Sequence, residues 1–239
     1  MRTKFLDMKV RLTILLSMTV LLGFSQSNTD MKSHYEAYYK AMKSQGDVNG
    51  VISALTHLNV IAPSKQRTDT LAFVYANNNQ HIQALNTIGI EKNEADSDLA
   101  IQVKAISLKA INQPKRALEQ FEILNKRSPN AYLAYELADL KIQTGDNEGA
   151  MTDIEAGLAE VQEGMTYAFY ERQQPYEVSL KAALLHLKGL AQYNTDRSNI
   201  DAAIATIDEA LALEPNFNLA SLSKQALESR KGSGEKKEE

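Results

Sequence analysis

The strongest constraint on the fold is that the chain repeats itself. When residues 98–129 are aligned with residues 184–215, the eighth, the twentieth and the thirty-second positions carry the same residue type in both stretches. The matching residues are Ala105, Ala117 and Pro129 in the first stretch, and Ala191, Ala203 and Pro215 in the second. A repeat of about 34 residues is typical of helix–turn–helix units that stack on one another.

Three further segments fit the same frame, so that the chain divides into five repeat units. The units are residues 32–64, 65–97, 98–130, 131–164 and 184–217, with an insertion at 165–183 before the last one. Alanine recurs at the eighth and twentieth positions of the second and fourth units, as Ala72, Ala84, Ala138 and Ala150. The first unit departs from the pattern, with Tyr39 and Val51 at these positions.

Alanine at two fixed positions has a packing explanation. Two antiparallel helices approach closely only where the facing side chains are small, so we expect Ala191 to lie opposite Ala203. Large aliphatic side chains around this contact then fill the space between units, and each fully buried one contributes about 1.5–3 kcal/mol. Pro215 is expected to end its helix, because its ring removes a backbone donor and disfavours helical angles at Glu214. A single unit cannot offset its loss of backbone entropy, so the units must stack.

With these spacings the chain resembles the tetratricopeptide repeat family, whose motif has small residues at positions eight and twenty. The resemblance covers most of residues 32–217. It implies an all-α fold, a tetratricopeptide-like α-solenoid of about five helix–turn–helix repeats, followed by a C-terminal capping helix over residues 218–231. Composition favours the same class, since 11 glycines, 5 prolines and no tryptophan in 239 residues suit long helices better than a turn-rich sheet.

The insertion at 165–183 is rich in aromatic residues. Four of them cluster around a break at Gln173, Gln174 and Pro175, namely Tyr167, Phe169, Tyr170 and Tyr176. An apolar stripe through Leu180, Leu184 and Leu187 predicts that the first helix of the fifth unit is lengthened by about two turns. The aromatic residues either plug a gap in the packing or form a binding edge.

The N-terminus has the pattern of an export signal over residues 1–25. Four basic residues precede an apolar run from Leu12 to Phe24. As a helix this run would reach only about 20 Å, short of a hydrocarbon core of about 30 Å. We therefore expect cleavage before Gln26 and a short linker at 26–31, with a retained membrane anchor as the alternative. Met8 is a possible alternative start.

The remaining features of the chain ends favour a soluble exported product. The chain has no cysteine, so it can form neither a disulfide nor a lipid-modified cysteine after the signal. Residues 232–239, with the sequence GSGEKKEE, predict a disordered charged tail. Together these features predict a periplasmic or secreted protein with no stable membrane insertion after signal cleavage.

Charge and motifs argue against nucleic-acid binding and catalysis. Without residues 1–25 the chain keeps 22 basic and 29 acidic residues, a net charge of −7, whereas nucleic acid requires a basic surface. No glycine-rich phosphate loop or nucleophile motif is present in the sequence. The histidines His34, His57, His81 and His186 are scattered over three units without the paired spacing of metal ligands. We expect no enzyme activity, no cofactor and no metal.

The family resemblance also implies where a partner would bind. In such solenoids the first helix of each unit lines a groove with its positions two, five, nine, twelve and thirteen. In this chain these positions supply Glu36, Lys40, Lys43, Phe73, Asn77, Gln102, Lys109, Tyr132, Tyr135, Asp139, Lys188 and Gln192. A mixed lining of aromatic, amide and basic side chains suits an extended peptide or a partner helix, although a solvated groove without a ligand would have the same composition.

The resulting functional prediction is a non-catalytic protein–protein interaction scaffold of the bacterial cell envelope, with a protein or peptide partner. The alternative is an accessory ligand-binding protein for peptide or glycan uptake, with the aromatic cluster near Tyr170 as its contact site. The clamp by which chaperone-binding family members hold a terminal carboxylate is missing, since the third unit offers Leu99 and Val103 where that clamp needs basic residues.

Overall fold

The structure is a computed structural model that describes residues 29–235. It divides into two compact bodies, an N-terminal body that ends at Gly89 and a C-terminal body that begins at Ile90. The predicted signal peptide at 1–25 lies outside the described residues, as do residues 236–239 of the predicted tail. No helix within residues 29–235 is long and apolar enough to cross a membrane.

The described part of the N-terminal body, residues 29–89, contains four helices. They are α1 at residues 29–45, α2 at Val48–Ile61, α3 at Lys65–Asn77 and α4 at His81–Ile88. Helix α1 thus includes the last residues of the segment predicted as a linker. Val51, Leu55 and Leu71 form a small buried core between α2 and α3, against which Tyr39 and Met42 of α1 pack.

The C-terminal body continues the series of helices, and each helix packs against the next. Its elements are α5 Asp98–Ala110, α6 Pro114–Arg127, α7 Ala131–Thr144, α8 Asn147–Glu160, β1 Thr166–Phe169, β2 Tyr176–Ser179, α9 Leu180–Thr195, α10 Ile200–Leu213 and α11 Asn218–Glu235. A single 3-10 turn, Arg197–Asn199, precedes α10. The predicted fold class is therefore confirmed: helices in consecutive packed pairs, as in a tetratricopeptide-like solenoid.

Polar caps and prolines set the helix boundaries. Six helices begin after a side chain that accepts a hydrogen bond from the backbone three residues later, namely Asp47, Ser64, Ser97, Asn130, Asp146 and Ser179. Helices α2, α6 and α10 each end two residues before a proline, respectively Pro63, Pro129 and Pro215. The turn after α7 uses Gly145 at φ 90°, a left-handed conformation that glycine adopts without strain.

The alanines of the repeat frame are buried within the helix pairs. The residues at positions eight and twenty of the last four units are all fully buried: Ala72, Ala84, Ala105, Ala117, Ala138, Ala150, Ala191 and Ala203. They occupy the paired helices α3 and α4, α5 and α6, α7 and α8, and α9 and α10. Complete burial at all eight positions agrees with the small side chain that the frame requires there.

The insertion differs from its sequence-based prediction. Residues 166–179 form an antiparallel hairpin in which Thr166 pairs with Ser179 and Phe169 pairs with Tyr176. Helix α9 starts at Leu180, so the first helix of the fifth unit is lengthened by about one turn and not two. The side chain of Ser179 caps this start by accepting from the backbone of Ala182. Aromatic and β-branched residues on alternate positions stabilise the strands in place of the extra helical turn.

The C-terminal helix is also longer than predicted. Helix α11 begins at Asn218, as expected, and extends to Glu235 instead of ending at residue 231. Its buried face includes Ala220 and Leu227, which join the core formed by α7 to α10 and the hairpin. The helix therefore covers the end of the apolar core, which is the role expected of a cap.

Candidate binding surface on the C-terminal body

A cleft of about 370 Å³ opens between α5 and α7, over the end of α6. Helix α5 contributes one stripe of side chains at four-residue spacing, and α7 contributes its first two turns. The lining residues are Asp98, Gln102, Ile106, Phe121, Leu124, Arg127, Ser128, Asn130, Tyr132, Leu133 and Glu136. Four-residue spacing places Asp98, Gln102 and Ile106 on one helix face, so the cleft runs along α5.

Two large apolar side chains at this cleft are exposed to solvent. Ile106 is 44% exposed and Tyr132 is 41% exposed, whereas the neighbouring Phe121 is buried. Exposed apolar side chains around a concave surface are typical of protein-binding sites. The cleft therefore offers contact area that the fold itself does not use.

The acidic residue at one end of the cleft is paired within the protein. Asp98 forms an ion pair with Arg127 of α6. The same guanidinium donates to the backbone carbonyl of Glu94 at 2.6 Å and to that of Asp96 at 3.1 Å. Arg127 is thus held by three acceptors and attaches the segment before α5 to the end of α6.

The acidic residue at the other end belongs to a network across three elements. Lys109 of α5 lies 2.6 Å from Oε2 of Glu136 and 2.8 Å from Oδ2 of Asp139, both on α7. Tyr167 of β1 donates its hydroxyl to Oε1 of Glu136 at 2.6 Å. Burial acts to lower the pKa of Lys109, but the carboxylates of Glu136 and Asp139 raise it above its ordinary value. Lys109 therefore stays charged and neutralises part of this acidic pair.

The aromatic residues of the hairpin are packed inside the C-terminal body. The ring of Tyr167 lies 4.1 Å from that of Tyr135 on α7, and Phe169 lies 5.0 Å from Phe217 at the start of α11. Phe169 also stacks on Tyr176 at 5.7 Å. Only Tyr170, at 75% exposed, points away from this cluster among the four aromatic residues of the insertion. The cluster thus fills the space between α7 and α11.

The structure brings together some of the predicted groove residues and separates others. Gln102 and Tyr132 line the cleft, and Lys109 binds its rim residue Glu136. Tyr135 is only 5% exposed, because the rings of Tyr167 and Phe169 cover it.

The other predicted groove residues lie elsewhere. Asp139 is half-buried and paired with Lys109, and Lys188 and Gln192 are half-buried on α9. Gln192 lines a separate cavity of about 230 Å³ together with Met151 and Asp196. In the N-terminal body, the predicted residues Glu36, Lys40, Lys43, Phe73 and Asn77 are exposed on α1 and α3.

Sequence reasoning missed two residues that matter most at the cleft. Ile106 occupies the ninth position of its unit, in the same frame that identified Gln102 and Lys109, so the signal was present. Glu136 stands at position six and could be found only from its contacts with Lys109 and Tyr167. Within residues 29–235 no three His, Cys, Asp or Glu side chains are placed to hold a metal ion together.

Comparison with known proteins supports the fold. No family model matches the chain, and no curated protein matches it. The crystal structure of MamA protein is similar at a TM-score of 0.59 and 15% identity, covering 78% of this chain and 93% of MamA. A tetratricopeptide repeat protein from Parabacteroides merdae ATCC 43184 aligns at a TM-score of 0.44 and 18% identity, covering 81% of this chain and 69% of that one. At 15% identity the likeness to MamA concerns the fold alone.

Proposed function

We propose that this tetratricopeptide-like repeat chain is a non-catalytic interaction scaffold of the bacterial cell envelope that binds a peptide or a partner helix. The observation that carries the proposal is the cleft between α5 and α7, where Ile106 and Tyr132 are exposed beside the buried Phe121. Covering such side chains on binding contributes about 25 cal/mol for each Å² of apolar surface removed from water.

The residue types at the cleft suit a polypeptide ligand. Tyrosine is enriched among the residues that dominate binding energy at protein interfaces. Tyr132 at the start of α7 and Ile106 on α5 line the same cleft, so both can contact one ligand there. Gln102, exposed on the same face of α5, offers an amide donor and acceptor for the ligand backbone.

The envelope location is supported by the N-terminal sequence. Basic residues followed by the apolar run from Leu12 to Phe24 are the pattern of a signal peptide. Intact-mass measurement of the protein from a periplasmic or secreted fraction is expected to give a chain that begins at Gln26. Recovery of the chain in the membrane fraction with residues 1–25 attached would contradict this location.

The binding role is tested by comparing two acidic substitutions of exposed apolar helix residues. Ile106 is in the cleft at 44% exposed, and Leu222 is on α11 at 51% exposed, outside it. The purified exported chain is cross-linked in an envelope extract as wild type, Ile106→Asp and Leu222→Asp. A partner captured by wild type and Leu222→Asp, and lost with Ile106→Asp, is the expected result. Equal capture by all three proteins would overturn the assignment of this cleft.

A further inference from the structure

The charged residues of the cleft are already satisfied by protein groups. Asp98 is paired with Arg127, and Glu136 accepts from both Lys109 and Tyr167. Asn130 is occupied as well, since its Oδ1 caps α7 by accepting from the backbone of Leu133 at 3.0 Å. A ligand therefore meets charged groups whose strongest hydrogen bonds are made within the protein.

The rest of the lining is mainly apolar. Between the two ion-paired ends lie five large apolar or aromatic side chains, Ile106, Phe121, Leu124, Tyr132 and Leu133. The volume of about 370 Å³ is at the lower end of the range for ligand pockets. A space of this size accepts one or two large side chains rather than a whole helix.

We propose that the cleft binds an uncharged apolar side chain of a partner polypeptide, and that Lys109 determines this preference by neutralising Glu136 and Asp139. This inference rests on the proposed function and specifies the chemistry of the partner. A charged side chain would enter an apolar space without an available partner, which is unfavourable. At both ends of the cleft it would compete with a protein cation that already partners the carboxylate, Arg127 at Asp98 and Lys109 at Glu136.

Lys109 determines the charge beside the cleft because its one ammonium forms ion pairs with two carboxylates. Its Nζ lies within 2.8 Å of a carboxylate oxygen of both Glu136 and Asp139. Removing that ammonium leaves two negative charges beside the cleft, and the cleft then becomes complementary to a cation. Tyr167 also makes Glu136 less available to a cation, although less strongly than Lys109, because its hydroxyl donates a hydrogen bond to Oε1 of Glu136.

The first test measures which side chains the cleft accepts. The probes are the N-acetyl methylamides of leucine, phenylalanine, lysine and glutamate, titrated into exported chain labelled at the isoleucine δ1 methyl groups. The Ile106 signal reports on the cleft. Leucine and phenylalanine probes are expected to bind at least about tenfold more tightly than the charged probes, a difference of about 1.4 kcal/mol. No saturable shift with the apolar probes, or equal binding of the lysine probe, would overturn the inference.

The second test changes the charge balance. Lys109→Met is compared with Lys141→Met, which breaks the 2.6 Å pair with Asp153 between α7 and α8 instead. Lys109→Met is expected to strengthen binding of the lysine probe at least about fivefold relative to the leucine probe. Lys141→Met is expected to leave that ratio unchanged. If Lys109→Met unfolds, Tyr167→Phe should move the ratio in the same direction. An unchanged ratio in the folded variants would overturn the role of Lys109.

Failure of this inference is distinguishable from failure of the proposed function. Capture of a partner that depends on Ile106, together with equal binding of charged and apolar probes, would overturn the inference and leave the proposed function in place. Selective binding of apolar probes without a partner that depends on Ile106 would support the inference and contradict the proposed function.

Discussion

Gly189 on α9 approaches the backbone of Ala203 on α10 so closely that a Cβ atom at position 189 would lie 2.9 Å from the Ala203 carbonyl oxygen. The same Cβ atom would lie 2.6 Å from Cγ1 of Ile207. This close contact between α9 and α10 therefore involves a glycine two residues before Ala191, and it faces Ala203, the other member of the alanine pair that the repeat frame identifies. Because the obstructing atom at 2.9 Å belongs to the backbone, a rotamer change cannot relieve the contact.

Gly189→Ala is expected to lower the free energy of unfolding by about 1–3 kcal/mol, because overpacking a close helix contact outweighs the gain in helix propensity. Gly232→Ala is the matched control: it lies on α11, where a Cβ atom meets nothing within 4 Å. The control is expected to change the free energy of unfolding by no more than about 0.5 kcal/mol, because Gly232 lies in the last turn of α11. Urea denaturation of both variants measures these changes, and equal stabilisation by the two substitutions would contradict the close contact.

Gln120 of α6 is a second unusual packing feature. Its side chain is fully buried, yet neither Oε1 nor Nε2 has a hydrogen-bond partner among the described residues. Burying an amide without partners costs about 1–3 kcal/mol. Leucine has a similar volume and no polar atom. Gln120→Leu is therefore expected to raise the free energy of unfolding, measured by urea denaturation, by about 1–3 kcal/mol.

The control for this substitution is Gln225→Leu, at an exposed position on α11. It is expected to change the free energy of unfolding by no more than about 0.5 kcal/mol. A loss of stability in Gln120→Leu, at least as large as that in Gln120→Ala, would show that the buried amide is stabilising.

The repeat frame predicted most of the helix packing because it depends on backbone geometry that every unit shares. Alanine at position twenty, such as Ala117 and Ala203, is buried in each unit where the frame places it. The hairpin could not be predicted from the frame, since an insertion has no counterpart in the other units. Its signal was local: Tyr176 and Val178 alternate with polar residues at a period of two, which indicates a strand.

The candidate site was less predictable than the fold. The frame identified Gln102 and Tyr132, which line the cleft, because position within a helix determines which face a residue occupies. It did not indicate that Tyr135 is covered, because the covering rings belong to the insertion. The pairing of Lys109 with Glu136 joins different units, 27 residues apart, and depends on the rotation of α5 relative to α7.

The buried ion pair of Lys104 and Asp96 joins α5 to the segment that precedes it. Lys104 Nζ lies 2.7 Å from Oδ2 of Asp96, and both side chains are less than a tenth exposed. The same ammonium donates to the backbone carbonyl of Glu91 at 2.8 Å. Lys104→Met leaves a buried carboxylate without this partner, so we expect a loss of about 3–5 kcal/mol in the free energy of unfolding.

A double substitution measures the interaction between Lys104 and Asp96 separately from the other contacts of each side chain. Lys104→Met combined with Asp96→Ala is expected to cost less than Lys104→Met alone, because no unpaired buried charge remains. The four proteins form a double-mutant cycle measured by urea denaturation. Additive losses across the cycle would show that the two side chains do not interact.

His186 of α9 makes the stability of the C-terminal body depend on pH. Its ring is buried, Nε2 lies 2.9 Å from Oγ of Ser223 on α11, and Nδ1 has no hydrogen-bond partner among the described residues. Burial lowers the pKa of His186 to about 4 from an ordinary value of 6.5, although Asp139 acts in the opposite direction. The unfolded chain therefore binds a proton between about pH 6.5 and pH 4, while the folded chain does not.

Stability contributed by the neutral ring is complete above pH 6.5 and falls as the pH is lowered toward 4. The shift corresponds to a loss of about 3 kcal/mol across this window. His186→Leu keeps an apolar side chain against Phe217, which packs 5.2 Å from the native ring, and removes the titrating group. The difference in free energy of unfolding between pH 7 and pH 4.5 is expected to shrink by about 2 kcal/mol in the variant. An unchanged difference would show that His186 is already protonated in the folded chain or titrates normally.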